Sequence, residues 1–312
     1  MDRDKFPIHF SIIIATQNRS VVLEKALTTI FSQSYFELDV IIAHTGIGDG
    51  TFECVKKFRD GKNSIHYIVC KRIGAASQRN EALGEARGDW VFFLDDDVEL
   101  QPDFFEEIVS ALRVRPDACG ISGRISNQYS KPLSLPIRIL LWMSGGRFSA
   151  DVNGKIRGPI INFLPYQIGS DVTEIDWMPT CVCGYKREIV NEVGGFPDFF
   201  KDYSLGEDIY LSMKVKQKYP LLLARKAVLF HNYLGGNNAR QAYAIGQMQI
   251  VNRFYILKEI QHRASYLNLS RLIFWNFSTS MLNFFLGHKS VVILWNSWRG
   301  YASGFFKSFA LI

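Results

Sequence analysis

Acidic side chains are nearly missing from the last third of this 312-residue sequence. After Asp208 the only one is Glu259, against 13 lysines and arginines, so residues 209–312 carry a formal charge of +12. Residues 1–208 hold 29 acidic and 23 basic side chains, a net charge of −6. This asymmetry argues against one uniform nucleic-acid-binding surface. It indicates a neutral-to-acidic working domain followed by a basic tail.

Cysteines are few and scattered: Cys54, Cys70, Cys119, Cys181 and Cys183. An odd, scattered set in a long chain argues against a disulfide framework and favours a reducing compartment. The C-x-C pair Cys181 and Cys183 has no second pair at the spacing of a zinc site. We therefore expect two small packed residues there.

The sequence also lacks a long hydrophobic run. The first apolar stretch, Phe10–Ala15, has the length of a strand and no cleavage site after it, so we expect no secretory signal peptide. The longest uncharged candidate, Leu272–His288, is interrupted by three hydroxyl and two asparagine side chains and is not predicted to span a bilayer. These absences predict a cytoplasmic protein.

What the first 125 residues do contain is an alternation of strand-like and helix-like segments. Continuous apolar runs, typical of strands covered on both faces, occur at Phe10–Ala15, Leu38–Ala43, Ile65–Cys70, Trp90–Leu94 and Cys119–Ser122. Helical spacing follows Ser20, a predicted helix cap, and covers Ala75–Arg87 and Pro102–Arg113. The alternation predicts an α/β fold with a doubly wound, mostly parallel sheet, in which ligands bind at the carboxyl ends of the strands.

Three adjacent carboxylates, Asp95, Asp96 and Asp97, follow the predicted strand Trp90–Leu94. They repel one another, and a divalent cation bridging to a diphosphate supplies the counter-charge. Mg²⁺ and Mn²⁺ prefer such hard oxygen ligands. The alternative is a solvated acidic turn before the helix at Pro102. Their position after a central strand favours the metal site.

Further candidates each have a chemical and a structural interpretation. Asp208, beside Glu207, is able to deprotonate a hydroxyl, but acidic residues also favour an ordinary helix N-terminus. His231 is either a ligand or a satisfied structural histidine. Arg79 either forks onto phosphate oxygens or lies solvated on a helix face.

The order and spacing of these motifs resemble the inverting family 2 glycosyltransferases of the GT-A fold, from about Phe10 to His231. The six matching motifs are Ser11–Arg19 (SIIIATQNR), Gly74 with Arg79 through Asp89, Phe93–Asp97 (FLDDD), Arg187 with Val193–Phe196 (VGGF), Gly206–Asp208 (GED) and His231. The resemblance implies a Rossmann-like core that binds a nucleotide sugar, with a C-terminal helical tail.

The resemblance also implies a role for each matching residue. The residues implied to bind the donor nucleotide or its sugar are Ala15, Thr16, Arg19, Thr45, Arg79, Asp95 and Asp96. Asp97 and His231 are the implied ligands of Mg²⁺ or Mn²⁺, and Glu207 and Trp177 are placed on the acceptor side. Asp208 is the implied base of a direct, metal-assisted displacement with inversion.

Two departures from the family pattern matter. After the second predicted strand the sequence reads AHTGIGD, and Thr45 replaces the second acid of the family's pair. A threonine hydroxyl lacks the charge of a carboxylate, so the nucleotide stays open among UDP, dTDP and GDP. The Q-x-x-R-W signature of processive synthases is absent after Asp208. We therefore expect transfer of a single hexose or deoxyhexose, as in the rhamnosyltransferases that Asn252–Tyr255 resembles.

The basic tail is predicted to be helical from about residue 237. As a helix, Leu272–Gly287 has a polar stripe and otherwise apolar, aromatic faces, which favours a helix lying on an anionic membrane surface. The alternative is packing on the catalytic domain or on a partner subunit, including a homo-oligomer. The predicted domains are a catalytic domain at 1–236, with a nucleotide-binding half at 1–125 and an acceptor-side half at 126–236, and a helical region at 237–312.

The leading hypothesis is a bacterial glycosyltransferase of surface-polysaccharide biosynthesis at the inner face of the cell membrane. It would move a sugar from a nucleotide-diphosphate sugar to a glycan or lipid-linked acceptor, with no nucleic-acid partner. A sugar nucleotidyltransferase is one alternative, although Ala15–Ser20 lacks the glycines of its phosphate loop. A non-catalytic basic module for membrane or nucleic acid is the other, and it leaves the carboxylates without a role.

Overall fold

A computed structural model describes residues 7–46, 48–59, 64–201, 203–232, 239–288 and 290–311. The chain divides into a sheet unit, Met1–Tyr129 with Pro165–Tyr233, and a helical unit, Ser130–Leu164 with Leu234–Ile312. The predicted boundary between residues 236 and 237 lies outside the described residues, and the domain division made from the sequence stays a prediction. The division predicted from the sequence differs from the two units of the structure over residues 130–164, because these residues group with the C-terminal helices.

The secondary structure is numbered here in chain order. The strands are β1 Phe10–Thr16, β2 Leu38–His44, β3 Ile65–Val69, β4 Trp90–Asp95, β5 Val98–Leu100, β6 Gly120–Ile125, β7 Ile156–Arg157, β8 Ile161–Asn162, β9 Val172–Ile175, β10 Val182–Lys186 and β11 Leu221–His231. The helices are α1 Ser20–Phe31, α2 Thr51–Phe58, α3 Ala75–Leu83, α4 Phe104–Val114, α5 Leu135–Met143, α6 Arg187–Val193, α7 Glu207–Lys216, α8 Ala239–Glu259, α9 Tyr266–Phe285 and α10 Val291–Ser308.

The sheet unit is built on one mixed sheet in the order β3-β2-β1-β4-β10-β6-β11-β5, with β9 also paired to β11. The pairs β1 with β2, β2 with β3, β1 with β4 and β6 with β11 are parallel. Strand β10 runs antiparallel to both β4 and β6, so β6 and β11 point the same way as β4. The predicted α/β class with a mostly parallel sheet is confirmed.

The apolar runs form central strands because helices cover both faces of the sheet. In β1, the side chains of Ile12, Ile13 and Ile14 are completely buried, as are Phe92 and Phe93 of β4. Each such side chain contributes about 1.5–3 kcal/mol by leaving water. This core fixes the register in which Ala15 at the end of β1 lies beside Asp95 at the end of β4.

The expected cap of α1 is wrong. Arg19 occupies the N-cap position and no side chain caps the helix. The Ser20 hydroxyl instead donates to the carbonyl oxygen of Asp49, at 3.1 Å. A contact 29 residues away has therefore replaced the local capping bond.

Helix α3 ends at Leu83, four residues before the predicted end, and its C-cap is Gly84. Gly88, which follows the predicted end of this helix at Arg87, is not its C-cap. A Cβ atom at Gly88 would lie 2.6 Å from the backbone nitrogen of Ser11. Gly88 is thus required for the close approach of the chain entering β4 to the start of β1.

The helical unit contains α5, α8, α9 and α10 with the short hairpin β7–β8. Helices α8 and α10 approach closely because small residues lie between them: a Cβ at Gly300 would lie 2.3 Å from the carbonyl oxygen of Tyr243. The predicted tail helix Leu272–Gly287 lies mostly within α9. Among the described helices, none has both the length and the apolar character required to cross a membrane.

Candidate functional site

The acidic triplet lies at the carboxyl end of β4, where β1 also ends. The Thr16 hydroxyl donates to Asp96 Oδ2 at 2.6 Å, and Arg19 pairs with Asp96 at 2.6 Å and with Asp97 at 2.8 Å. Asp96 and Asp97 are both buried. The solvated acidic turn is therefore not what forms here, because two side chains from β1 and the start of α1 hold the carboxylates inside the protein.

The pKa values of these two carboxylates are shifted in opposite directions. Burial raises the pKa of Asp96 to about 6, although Thr16 and Arg19 act against this shift. Burial also opposes ionisation of Asp97, but hydrogen bonds from His231 and Arg19 outweigh it and lower the pKa of that carboxyl group. Asp97 therefore stays ionised to lower pH than Asp96.

Arg79 links the triplet to α7. Its Nη2 lies 2.7 Å from Asp95 Oδ1 and its Nη1 lies 3.0 Å from Glu207 Oε1, which also accepts a hydrogen bond from the Thr180 hydroxyl. Arg79 is 3% exposed, so the solvated helix-face interpretation is wrong. Although burial disfavours the cation, Asp95 and Glu207 raise the pKa of the guanidinium, which stays charged.

His231 ends β11 at the same edge of the sheet. Its Nε2 lies 3.0 Å from Asp97 Oδ1 and 3.9 Å from Asp95 Oδ2. Burial lowers the pKa of this histidine, but Asp97 and Asp95 raise it by a larger amount, so the net shift is upward. Asn127 fixes the backbone of His231 through two hydrogen bonds, and Gln128 Nε2 lies 3.2 Å from its Nδ1. Sequence reasoning missed Asn127 and Gln128, because they follow β6 in a stretch without strand or helix periodicity.

The donor atoms at this edge fit a hard divalent cation. Asp95, Cys181 and His231 offer ligand atoms that lie within 4.8 Å of one another, and Asp97 Oδ1 adjoins the same imidazole. Carboxylate oxygens and an imidazole nitrogen suit Mn²⁺ or Mg²⁺. Burial keeps the pKa of the Cys181 thiol well above its usual value, so this cysteine adjoins the cluster as a neutral thiol.

The remaining predicted residues lie on either side of the triplet. Asp208 is the second residue of α7, half-buried, and its Oδ1 accepts the backbone N–H of Ile209 at 2.7 Å. Burial and the neighbouring Asp208 raise the pKa of Glu207, against the effect of Arg79. Trp177 is buried in the segment between β9 and β10. The pair starts a helix, as its structural interpretation predicts, and Glu207 joins the charged cluster through Arg79. The role of Asp208 as a base stays a prediction.

Thr45 lies just beyond β2, and its backbone N–H donates to the carbonyl oxygen of Thr16. Its hydroxyl oxygen is buried and has no hydrogen-bond partner among the described residues. The preceding His44 is held between Asp49, at 2.9 Å, and the Tyr67 hydroxyl, at 2.7 Å. Sequence reasoning missed this His44–Asp49–Tyr67 cluster, although the departure from the family pattern at this position was a signal for it.

Comparisons with known proteins identify the family and the fold. The sequence model of Glycosyl transferase family 2 matches residues 11–192, which is more than half of the chain. A GalNAc(5)-diNAcBac-PP-undecaprenol beta-1,3-glucosyltransferase of Campylobacter jejuni is 35% identical over 92 residues, 29% of this chain and 30% of that protein. The chain thus matches under a third of the length of this curated relative.

Two solved structures share the fold along nearly the whole chain. A mannosyltransferase of Pyrobaculum calidifontis in complex with GDP-Man and Mn²⁺ has a TM-score of 0.58 at 17% identity, covering 98% of this chain and 88% of its own. Residues 1–349 of Staphylococcus aureus TarS in complex with UDP-GlcNAc also give 0.58, at 16% identity, covering 96% and 81%. The predicted GT-A fold is confirmed, and with the matched family model the chain belongs to glycosyl transferase family 2.

Proposed function

We propose that this protein is an inverting glycosyltransferase that moves one sugar from a nucleotide-diphosphate sugar to an acceptor hydroxyl. The observation that carries the proposal is the convergence of Asp95–Asp97, Arg19, Arg79 and His231 at one edge of the sheet, next to the start of α7. Cations and carboxylates are both needed there, because a diphosphate must be bound and a proton removed in the same reaction.

The donor nucleotide is assigned to the ends of β1 and β2. Ala15 lies beside Asp95, and the guanidinium groups of Arg19 and Arg79, which are ion-paired with the acidic triplet, are assigned to the side of the site that faces the diphosphate. The buried Thr45 hydroxyl is a candidate for a single hydrogen bond to the base. The two structural relatives hold GDP-Man and UDP-GlcNAc, so the fold itself accepts different bases and UDP, dTDP and GDP all remain to be tested.

The metal ligands are assigned to Asp97 and His231, with Asp95 adjoining them. Mn²⁺ or Mg²⁺, when bound, neutralises charge on the leaving diphosphate. Arg19 holds Asp97 ionised and in place. The mannosyltransferase relative contains Mn²⁺, which supports this assignment without deciding between the two ions.

Asp208 is the proposed base, and Glu207 is a positioning residue on the acceptor side with Trp177. Glu207 Oε1 already accepts hydrogen bonds from Arg79 and Thr180. Burial and the charge of Asp208 raise its pKa, so it is poorly suited to remain an anion that collects a proton. Asp208 is the more exposed carboxylate of the pair, and it removes the proton of the attacking hydroxyl.

For the acceptor we propose a lipid-linked or surface glycan at an anionic membrane surface. The Campylobacter relative is named for an undecaprenol-linked substrate. In the helical unit, Val291, Trp295 and Phe306 are 60–72% exposed. Other exposed apolar side chains lie on α9 and α10, and the aromatic and basic composition suits the headgroup region of a membrane. Binding to anionic vesicles supports this surface; self-association without vesicle binding would instead assign it to a second copy.

The experiment that tests the proposed function is thermal shift with UDP, dTDP and GDP, each with and without Mn²⁺, followed by a panel of donor sugars. We expect one nucleotide to stabilise the protein in a metal-dependent way and its sugar conjugates to be hydrolysed or transferred. If no nucleotide raises the melting temperature, a non-catalytic module is the better assignment.

A further inference from the structure

Strand β11 is interrupted by a bulge next to β6. Ala224 pairs with Gly123 and Val228 pairs with Arg124, so three residues of β11 oppose none on β6. The first of them is Arg225, whose backbone N–H donates to the carbonyl oxygen of Asp171 at 2.7 Å. Bulges of this kind re-aim a side chain out of the regular alternation of a strand.

The Arg225 side chain is buried, and in the described part of the chain no carboxylate forms an ion pair with it. The residue is 6% exposed, and its Nε, Nη1 and Nη2 have no hydrogen-bond partner among the described residues. An unpaired buried cation is costly, and native proteins rarely retain one without a partner. Gly169 lies against it: a Cβ atom there would come within 2.8 Å of Nη2, so a glycine keeps the space around the guanidinium open.

A second guanidinium lies beside the first. Arg124 Nε donates to the carbonyl oxygen of Arg225 at 2.9 Å, and its Nη1 donates to Gln167 Oε1. Gln167 is fixed in turn by donating to the carbonyl oxygen of Ile125. The groups that accept hydrogen bonds from Arg124 are all neutral. The positive charges of Arg124 and Arg225 are therefore held side by side, and the bonds that orient Arg124 compensate neither of them.

Arg124 and Arg225 line a cavity of about 650 Å³. Its acidic lining residues are Asp103, which is exposed, Glu107, and Asp171, whose 66% exposed carboxylate pairs with Lys226. A cavity of this size accommodates a small phosphorylated molecule or the head of a larger one.

We propose that Arg225 and Arg124 form a binding site for a phosphate group, distinct from the Asp95–Asp97 edge. Arg225 precedes His231 by six residues along β11, and none of the cavity residues belongs to the carboxylate cluster. A guanidinium fork matches phosphate oxygens in pairs, and two such groups match a doubly charged phosphate better than a singly charged carboxylate. The phosphate comes either from a lipid diphosphate headgroup or from a free phosphate. The site does not depend on the proposed transfer reaction.

The experiment is ³¹P NMR titration of metal-free protein with inorganic phosphate and, separately, with farnesyl diphosphate in detergent micelles. Arg225→Gln is compared with wild type, and Arg115→Gln is the matched control, since Arg115 is a surface arginine paired with Asp117 in the same unit. We expect Arg225→Gln to weaken binding roughly tenfold or more and Arg115→Gln to leave it unchanged. Binding of inorganic phosphate identifies the free anion as sufficient, and an Arg225-dependent signal with farnesyl diphosphate alone identifies the headgroup.

A melting curve without phosphate separates binding from folding. Because no hydrogen bond of the guanidinium to the residues that the structure describes would be lost, Arg225→Gln should melt at the same temperature as wild type or higher. Equal binding of both ligands by wild type and Arg225→Gln overturns the proposal, and so does a wild type that binds neither inorganic phosphate nor farnesyl diphosphate at millimolar concentrations. If Arg225→Gln melts well below wild type, the guanidinium has a structural partner and the site is likewise rejected.

Discussion

Two arginines in the sheet unit are buried to nearly the same degree, 3% exposed for Arg79 and 6% for Arg225, but their surroundings differ. Arg79 lies between two carboxylates, Asp95 and Glu207, that come from β4 and α7. Arg225 lies next to a second arginine and to a glycine. Burial alone therefore does not say what a charged side chain does. The first guanidinium is neutralised within the protein and organises a site, and the second is proposed to be neutralised by a ligand.

The largest expected effect lies on the Arg79 side of this comparison, at Asp208. Asp208→Asn keeps the shape of the side chain but removes its ability to take a proton, so transfer should fall by roughly 10²–10⁴-fold while nucleotide binding is retained. The measurement is single-turnover transfer with a matched binding titration. Asp198→Asn, which alters an exposed carboxylate paired with Arg72, is the control and should transfer normally. Full activity of Asp208→Asn rejects the base assignment.

Substituting the two buried arginines tests the comparison directly. Arg79→Gln leaves Asp95 and Glu207 without their shared cation, and it should cost about 3–5 kcal/mol of unfolding free energy. Arg225→Gln removes an unpaired charge and should cost nothing. Urea denaturation of both variants measures the difference. Similar losses in the two variants would show that the distinction drawn between the arginines is wrong.

A smaller effect is expected when a carboxylate is removed from each region. Asp97→Ala should abolish the increase in nucleotide affinity that Mn²⁺ produces, because Asp97 is the carboxylate held ionised beside His231. Asp103→Ala, at the cavity that Arg225 lines, should leave the Mn²⁺ effect intact. Calorimetric titration of nucleotide with and without Mn²⁺ compares them. An unchanged metal effect in Asp97→Ala contradicts the ligand assignment.

The smallest effect concerns Asp49, a carboxylate satisfied mostly by neutral donors. Burial opposes its ionisation, but hydrogen bonds from Thr51, His44 and Asn18 hold its pKa well below the usual value. The folded state therefore keeps Asp49 ionised at a pH where the unfolded chain, with a pKa of about 3.9, is protonated. This stability is present above pH 4 or so and is lost as the pH falls below it. Asp49→Asn should lose about 1–2 kcal/mol at neutral pH and show a shallower acid-induced loss than wild type in urea melts.

The sequence predicts the sheet well because a long apolar run must be buried, and a central strand of a covered sheet buries it on both faces. Phe10–Ala15 and Trp90–Leu94 lie in β1 and β4 nearly as predicted. Local signals that compete with distant contacts were less reliable. Ser20 did not cap α1, because it is the first residue of the helix and its hydroxyl donates to the distant carbonyl oxygen of Asp49, and α3 ended early.

The same difference between features that the sequence predicts and features that depend on distant contacts is found at the site. The acidic triplet and His231 are each found from the end of a strand, and the topology brings those ends together. The environment of Arg79 depends on partners 16 and 128 residues away, which periodicity does not reveal. Arg225 carried no sequence signal at all, because its isolation is created by a bulge and by Gly169.

The reversed strand β10 has a consequence for how acceptor specificity can change. Because β10 runs against its neighbours, it begins at the edge where β1, β4 and β11 end, with Val182 beside Leu94. The segment just before it, which contains Trp177 and Thr180, therefore reaches this edge from the opposite direction to β1 and β4, the strands proposed to bind the nucleotide. Exchanging this segment between relatives should therefore change the choice of acceptor. It should leave recognition of the nucleotide, which we assign to the first half of the chain, unchanged.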